Sequence, residues 1–573
     1  MSEIYGPSLE TSVPDDLTLP QFILDSSHPL RPIRPIHVPW FIEDAGGREV
    51  GHEEVRARTY GLANGLSLQF SCQGERYRCV LATLVIFSPN HIDYPAAIWA
   101  THRLGGVVSC ANPANNISEL LYQLKTVHAS LIITHSSSLH TALGAAQAAG
   151  LPSERVITFD ESNQITVGTL IQQGLRSEPN FVERRLRKGE AKTKVAFLSF
   201  SSGTTGKPKA VAISHFAPIV NVIQMAEQQK VNKNYAPWEE QRFRPGDVVA
   251  GVLPFFHIYG LVLGIHLMAF CGISVVVIPK FNFTEFLESI VKYRINHLHL
   301  VPPQIVLFCK HPAVKNYNLN GVRVLICGAA PLSASLVDQV VKILPNAQIG
   351  QGYGMTEAAA TISMFSVDKK LGVPGGVGRL APGVVAKVVK DDGTLAGFNE
   401  PGELQVKIPS VALGYLNNDE ATKETFVNGW LRTGDEVIIR EDHELFIVDR
   451  LKEIMKVKGF QVAPAELEGC IIDHPDVSDT CVVPISDNYS GELPMAFVVL
   501  HPDAVKRIAL DRAEVERVKA SITKLVADNK VAYKHLAGGV EFVDVIPKNP
   551  SGKLLRRVLR DRARDLVRPR SKL

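Results

Sequence analysis

Apolar runs and helix-spaced segments alternate along the first half of the chain. VLATLVIFS (80–88), DYPAAIWATHRLGG (93–106), VVSCA (107–111), ISELLYQLKTV (117–127) and SLIITH (130–135) read as strand, helix, strand, helix, strand. Such alternation predicts a parallel sheet with helices on both faces, so the expected fold class is α/β. The pattern returns at INHLHLVPP (295–303), VRVLICGAAPLS (322–333) and PNAQIGQGYGMTE (345–357). From 384 to 448 short strands joined by Asp-Asp-Gly and Glu-Asp-His turns predict a small β-rich subdomain. The pattern then becomes mixed, with PAELEGCII (464–472), TCVVPIS (480–486), MAFVVLH (495–501) and an amphipathic helix placing Val515, Val518, Ile522, Leu525 and Val526 on one face. A boundary at 449/450 follows, with a domain over 1–449 and a smaller α+β domain over 450–573.

Two charged stretches, 182–194 and 231–247, read as a solvated loop and a surface excursion. The stretch from Val248 to Pro279 carries no charge, but Pro254, His257, Gly260, Gly264, His266 and Gly272 interrupt it. A strand, a loop, a buried helix and a second strand explain it better than a membrane span, which needs about 20 apolar residues in one helix. No period of a solenoid or propeller repeats. The 573 residues are 45% hydrophobic and 21% charged, a globular composition, and 61 basic against 58 acidic residues leave a net charge of +3. That balance argues against nucleic-acid binding, which calls for a clustered basic excess. The eight cysteines form no CxxC pair and sit mostly in apolar contexts, so free buried thiols in a reducing compartment are expected. The N-terminal MSEIYGPSLETSVPDD lacks the basic and apolar regions of a secretory signal.

The densest chemistry lies at LSFSSGTTGKPKA (198–210). An apolar run feeds a loop whose glycines let backbone N–H groups converge, whose hydroxyls donate and whose lysines bring charge, which is an anion cradle. It lacks Walker A spacing: Ser201 stands where the first Gly belongs and Pro208 follows Lys207. A flexible linker is the bland alternative, but the flanking LSF and AVAIS oppose it.

This segment resembles the phosphate-binding signature of the adenylate-forming superfamily, which includes acyl-CoA synthetases, aryl-CoA ligases, peptide-synthetase adenylation domains and beetle luciferases. Only Ala210, where the family usually has Gly, departs. The resemblance assigns Ser201, Ser202, Gly203, Thr204, Thr205, Gly206, Lys207 and Lys209 to phosphate. Five further segments follow in the family's order. In LPFFHIYG (253–260), His257 alone would read as a core histidine; the resemblance puts His257, Ile258 and Tyr259 at the acyl pocket. CGAAPL (327–332) and QGYGMTE (351–357) would hold adenine through Gly328, Ala329, Ala330, Gln351, Gly352 and Tyr353, with Ala330 and Gly354 also facing substrate. Thr356 would bind phosphate and Glu357 would hold Mg²⁺, although an acid at a helix N-terminus looks the same. In GWLRTGD (429–435), Asp435 would hold ribose; a turn-capping Asp is its local alternative. In 448–468, Arg450 would be a second ribose contact and Lys452 the hinge of a mobile small domain, with Lys456, Gly459 and Gln461 serving the thioester step. In IPKNPSGKLLRR (546–557), a Pro550–Gly552 turn projects Lys553, which would bridge carboxylate and α-phosphate.

The resemblance therefore implies an ATP-dependent acid–CoA ligase, with ATP, Mg²⁺ and CoA, in the 4-coumarate–CoA ligase-like branch that includes fungal phenylacetyl-CoA ligases. No carrier domain follows Leu573 in this sequence, so CoA is the expected thiol. Ala359-Ala360-Thr361 replace the Gly-Pro-Val of plant coumarate ligases, which argues against a hydroxycinnamate, and an aryl-alkanoic or medium-chain fatty acid better suits the peroxisomal enzyme that the C-terminus implies. A luciferase-like oxygenase and a non-catalytic nucleotide-binding protein are the alternatives. Ser571-Lys572-Leu573 reads as an address for the peroxisomal import receptor, hence a peroxisomal location.

Overall fold

A computed structural model describes residues 3–567 apart from 71–82, 202–207, 331, 452, 458–459, 488–489, 512, 549–551, 553 and the side chains of Gln461 and Val567. The predicted alternation forms one face of the molecule. Strands Thr83–Phe87, Val107–Ala111, Leu131–Thr134, Val156–Thr158 and Val195–Ser201 lie parallel in one sheet. Lys209–Ser214 and Gly414–Tyr415 extend it antiparallel. Residues 202–207 thus connect two neighbouring antiparallel strands, so Ser201 and Lys209 are direct partners.

A second sheet carries Phe41–Glu43, Ser274–Val277, Val248–Gly251, His297–Leu300, Val324–Cys327 and Gln348–Met355 in parallel. Val248–Gly251, Ser274–Val277 and Val324–Cys327 are almost wholly apolar because both faces are covered. The uncharged stretch forms two of them, joined by a buried π-helix, Tyr259–Leu267, that continues into Met268–Phe270. No helix among the described residues is long and apolar enough to cross a membrane. The expected β-rich subdomain is an antiparallel sheet of Val385–Val389, Gly402–Lys407, Trp430–Ile439 and Leu445–Arg450. It also recruits Ile4–Tyr5 from the N-terminus. Past Arg450 the chain enters a separate sheet at Met455–Val457, packed with the helix Ala513–Asn529, whose Val518, Ile522 and Val526 are buried.

One expectation needs correction. The excursion at 231–247 is not all surface: Arg242 is fully buried within it. Its guanidinium lies 3.7 Å over the Phe365 ring and donates to Gln229, Gln348 and the carbonyls of Phe365, Ser366 and Lys369. Burial pulls its pKa down to about 9, yet this set of acceptors satisfies it. The cysteines agree with expectation where described: Cys110, Cys271, Cys327 and Cys481 are buried, Cys309 and Cys470 partly so, and all six are free.

Candidate functional site

Both parallel sheets and the antiparallel sheet converge on a cleft of about 1080 Å³. Ser201 and Lys209 line it, the described ends of the expected phosphate loop. Pro208 and Tyr122 line it too, the Pro208 carbonyl accepting from the Tyr122 hydroxyl at 2.9 Å. The Lys209 ammonium lies 5.0 Å over the ring of Tyr415. The Tyr415 hydroxyl in turn donates to Glu357 Oε1 at 2.9 Å, while the Glu357 carbonyl accepts from Ala412 N–H at 2.8 Å. Burial and the Glu357 carboxylate push the Tyr415 phenol well above its ordinary pKa, so it remains a donor. Glu357 itself is buried in a single 3₁₀ turn, Thr356–Ala358, and both Thr356 and Glu357 line the cleft.

The strand Gln348–Met355 supplies the next wall. Gly352, Tyr353 and Gly354 line the cleft. A bulge lies between Tyr353 and Gly354, where a Cβ on Gly354 would stand 1.6 Å from the Ala360 carbonyl oxygen, so only glycine fits. The Tyr353 hydroxyl donates to Asp435 Oδ2 at 2.6 Å, and Arg450 Nε lies 3.5 Å from Asp435 Oδ1. Asp435 and Arg450 are paired residues on adjacent strands, which brings these two expected ribose contacts together. Burial, then Asp435, keeps the Tyr353 phenol protonated. Burial works against the Arg450 charge, but Asp435 and Glu453 hold its pKa above the ordinary value.

Gln351 is engaged behind the cleft. Its amide accepts from Leu332 N–H at 2.8 Å and donates to the Gly376 carbonyl at 3.2 Å, fastening the loop after Val324–Cys327 to the sheet. Its side chain does not line the cleft, and neither does Ala330. Gly328 and Ala329 do, and a Cβ on Gly328 would stand 3.0 Å from Tyr259 Cε1, so the glycine admits the tyrosine ring. His257, Ile258 and Tyr259 line the cleft beside Phe256, Leu263, Ile326 and Met364. His257 Nδ1 accepts from Tyr259 N–H at 3.3 Å. Tyr259 donates to the Ile326 carbonyl at 3.3 Å, and burial raises its pKa far above normal. Three alanines here adopt left-handed backbone: Ala329 at φ 69°, Ala359 at 50° and Ala360 at 108°.

From the small domain, Leu555 lines the cleft, and a Cβ on Gly552 would lie 3.1 Å from Val301 Cγ2. Around position 553, Gly552 therefore lies against Val301 and Leu555 lines the cleft. Lys456 does not reach it: exposed on a hairpin opposite Gln461, its N–H donates to Glu492 at 2.7 Å. Ser202 to Lys207, Lys452, Gly459, Lys553 and Ser571-Lys572-Leu573 lie outside the described residues. Sequence reasoning missed Tyr122 and Tyr415, and also the cleft-lining Arg432–Glu403 pair at 2.8 Å. Its only available signal was an aromatic or charged residue inside an ordinary helix or strand pattern.

Comparison with known proteins adds the family. The AMP-binding enzyme family matches residues 35–416 and the AMP-binding enzyme C-terminal domain matches 466–553. The chain is 35% identical to 4-coumarate–CoA ligase 5 of Oryza sativa subsp. japonica, over 96% of this chain and 95% of that one. It is 34% identical to acyl-CoA ligase AFT1-1 of Alternaria alternata, over 97% and 96% of the two chains. Among solved structures, ATP-bound MatB from Rhodopseudomonas palustris shares the fold with a TM-score of 0.78, at 24% identity over 96% of this chain and 100% of that one. A benzoate–CoA ligase from Burkholderia xenovorans LB400 does so with a TM-score of 0.76, at 20% identity over 95% and 100%. With the phosphate-loop strands, Glu357 and the Asp435–Arg450 pair arranged about one cleft, the chain belongs to the AMP-binding enzyme family and is an AMP-forming acid–thiol ligase.

Proposed function

We propose that this ligase activates an aryl-alkanoic or medium-chain fatty acid and transfers it to CoA. The observation that carries the acyl preference is the cleft wall of Phe256, Ile258, Tyr259, Leu263, Ile326 and Met364, whose apolar surface suits a hydrocarbon or aryl tail. Ala360 and Thr361 line the same cleft, at the positions that separate this chain from the plant coumarate pattern.

In the first step a carboxylate oxygen bonds to the α-phosphorus of ATP and the bond to the departing pyrophosphate breaks. Two anions meet there, so positive charge must be ready in place. Lys209 supplies it at one end of the phosphate loop, and Lys553 is assigned to the reacting carboxylate. No group of three or more metal-ligating side chains occurs among the described residues. Mg²⁺ would thus take one carboxylate, Glu357, and phosphate oxygens, the usual mode for this ion, and would neutralise the polyphosphate. In the second step the CoA sulfur bonds to the acyl carbonyl carbon and AMP leaves. The small domain, taken as 450–573 and hinged at Lys452, offers the Gly552–Leu555 side for the first step. It would turn to offer Lys456, Gly459 and Gln461 for the second.

Pyrophosphate release across a panel of acids, with and without CoA, tests the proposal. Acid-dependent release is expected, with arylacetic and medium-chain acids ahead of hydroxycinnamic ones. No acid-dependent release would overturn the ligase reading for these acids, and a preference for hydroxycinnamic acids would overturn the acyl assignment.

A further inference from the structure

Lys310 ends the helix Pro302–Lys310, inside the region matched by the AMP-binding family, yet its side chain is committed to the other domain. Its Nζ donates to the carbonyl of Ile472 at 3.0 Å and to that of Val477 at 2.5 Å, both within the C-terminal match. Ile472 is the C-cap of the helix Pro464–Ile471, where carbonyls lack partners within the helix and the helix dipole is negative. An ammonium is the group that best satisfies such an end. Asp473 adds negative charge beside it, while burial pulls the Lys310 pKa below its ordinary value.

The same short helix touches the small domain at its other end. Val301, its N-cap, is the residue against which Gly552 packs. Lys310 lies nine positions along the helix from Val301, a span of about 13 Å. One contact would leave the small domain free to pivot, whereas two contacts at this separation confine it to rotation about the line between them. A third approach lies alongside, where a Cβ on Gly469 would stand 4.0 Å from Ser333 Cβ.

We propose that Lys310 is a positioning residue that holds the C-terminal domain in the orientation presenting the Gly552–Leu555 turn to the cleft. This rests on the reading that the turn serves the adenylating step. The latch is made of hydrogen bonds to carbonyls and not of an ion pair, so it can be released without leaving a buried carboxylate unpaired. That property suits a contact broken in every catalytic cycle.

Two measurements on the full chain test it. Lys310→Met keeps the aliphatic stem and should slow acid-dependent ATP–pyrophosphate exchange roughly tenfold, the scale of a lost hydrogen bond to a charged group. Thioester formation from supplied acyl-adenylate and CoA should be unchanged. Lys310→Arg, which still donates, should recover most of the exchange rate. In a Ser333→Cys/Gly469→Cys background, Lys310→Met should also slow disulfide formation under a mild oxidant, a readout independent of activity. Equal slowing of both half-reactions, or an unaltered rate of disulfide formation, would overturn the latch. Slowed disulfide formation in a protein that shows no exchange even with Lys310 intact would uphold the latch and overturn the adenylation reading instead.

Discussion

Tyr415 joins two groups that are proposed to serve the phosphates. Lys209 rests on its ring and Glu357 accepts its hydroxyl proton. Tyr415→Phe keeps the ring and removes only the donor, leaving the buried Glu357 carboxylate with one partner fewer. A hydrogen bond to a charged group contributes about 1.5–3 kcal/mol, so kcat/KM for pyrophosphate exchange should fall by about tenfold or more. The thermal midpoint should fall by no more than a few degrees, because a loss of this size is small against the unfolding entropy of so large a domain. Exchange at the unaltered rate would show that Glu357 holds its place without Tyr415. Lys209 and Glu357 were legible as residues because each sits in a segment whose glycines and hydroxyls have a chemical use. Tyr415 was not, since GYLNN carries no spacing that sets its tyrosine apart from a strand residue. The strain at Ala329, Ala359 and Ala360 was equally hidden. Small residues were legible there, but left-handed backbone at alanine costs about 1 kcal/mol or more and shows only in the fold.

Among elements, the helix Arg556–Val567 depends on its first residue. The buried Arg556 guanidinium donates to Glu453 and Glu468 at 2.6 Å each, close to Asp449. Burial pushes the Glu468 carboxyl up to about 7 and raises Asp449 also, while the Arg556 charge opposes both shifts. Arg556→Met would leave these acids crowded without a cation. Removing one member of a buried ionic cluster typically costs about 3–5 kcal/mol, so calorimetry should show the small domain melting well below its normal midpoint. Adding Glu468→Gln should recover part of that loss, and an unchanged midpoint for Arg556→Met alone would rule the cluster out as a stabilising element. Patterning made the parallel strands and the Ala513–Asn529 helix legible, because burial on one or both faces leaves a period. It fails where no period can form. Ile4–Tyr5 is too short to show one, and Tyr259–Leu267 is buried all round, so its π geometry leaves no polar stripe. Arg242 misled in the opposite direction, since a charged residue reads as solvated unless its carbonyl and amide acceptors are known.

The whole molecule sets the sharpest test, because the two sides of the small domain proposed for the two steps do not reach the cleft together: Leu555 lines it and Lys456 does not. The 4.0 Å between Ser333 Cβ and the Cβ position of Gly469 falls inside the range of about 3.5–4.5 Å that a disulfide requires. Ser333→Cys/Gly469→Cys should therefore close under oxidation and tie the small domain in the orientation described. Cys470→Ser belongs in the same background, since a neighbouring thiol could pair instead. Ser333 also caps the helix Ala334–Ile343 by accepting from Leu336 N–H at 3.3 Å, so its replacement costs about 1 kcal/mol, which wild-type-like melting after reduction would bound. The oxidised protein should retain acid-dependent pyrophosphate exchange and fail to form thioester from supplied acyl-adenylate and CoA, with a reductant restoring the second step. If both steps survive oxidation, the domain has no need to turn. If exchange is lost while thioester formation persists, the Gly552–Leu555 turn serves the other half-reaction, and Lys310 must then be holding the domain for thiol transfer.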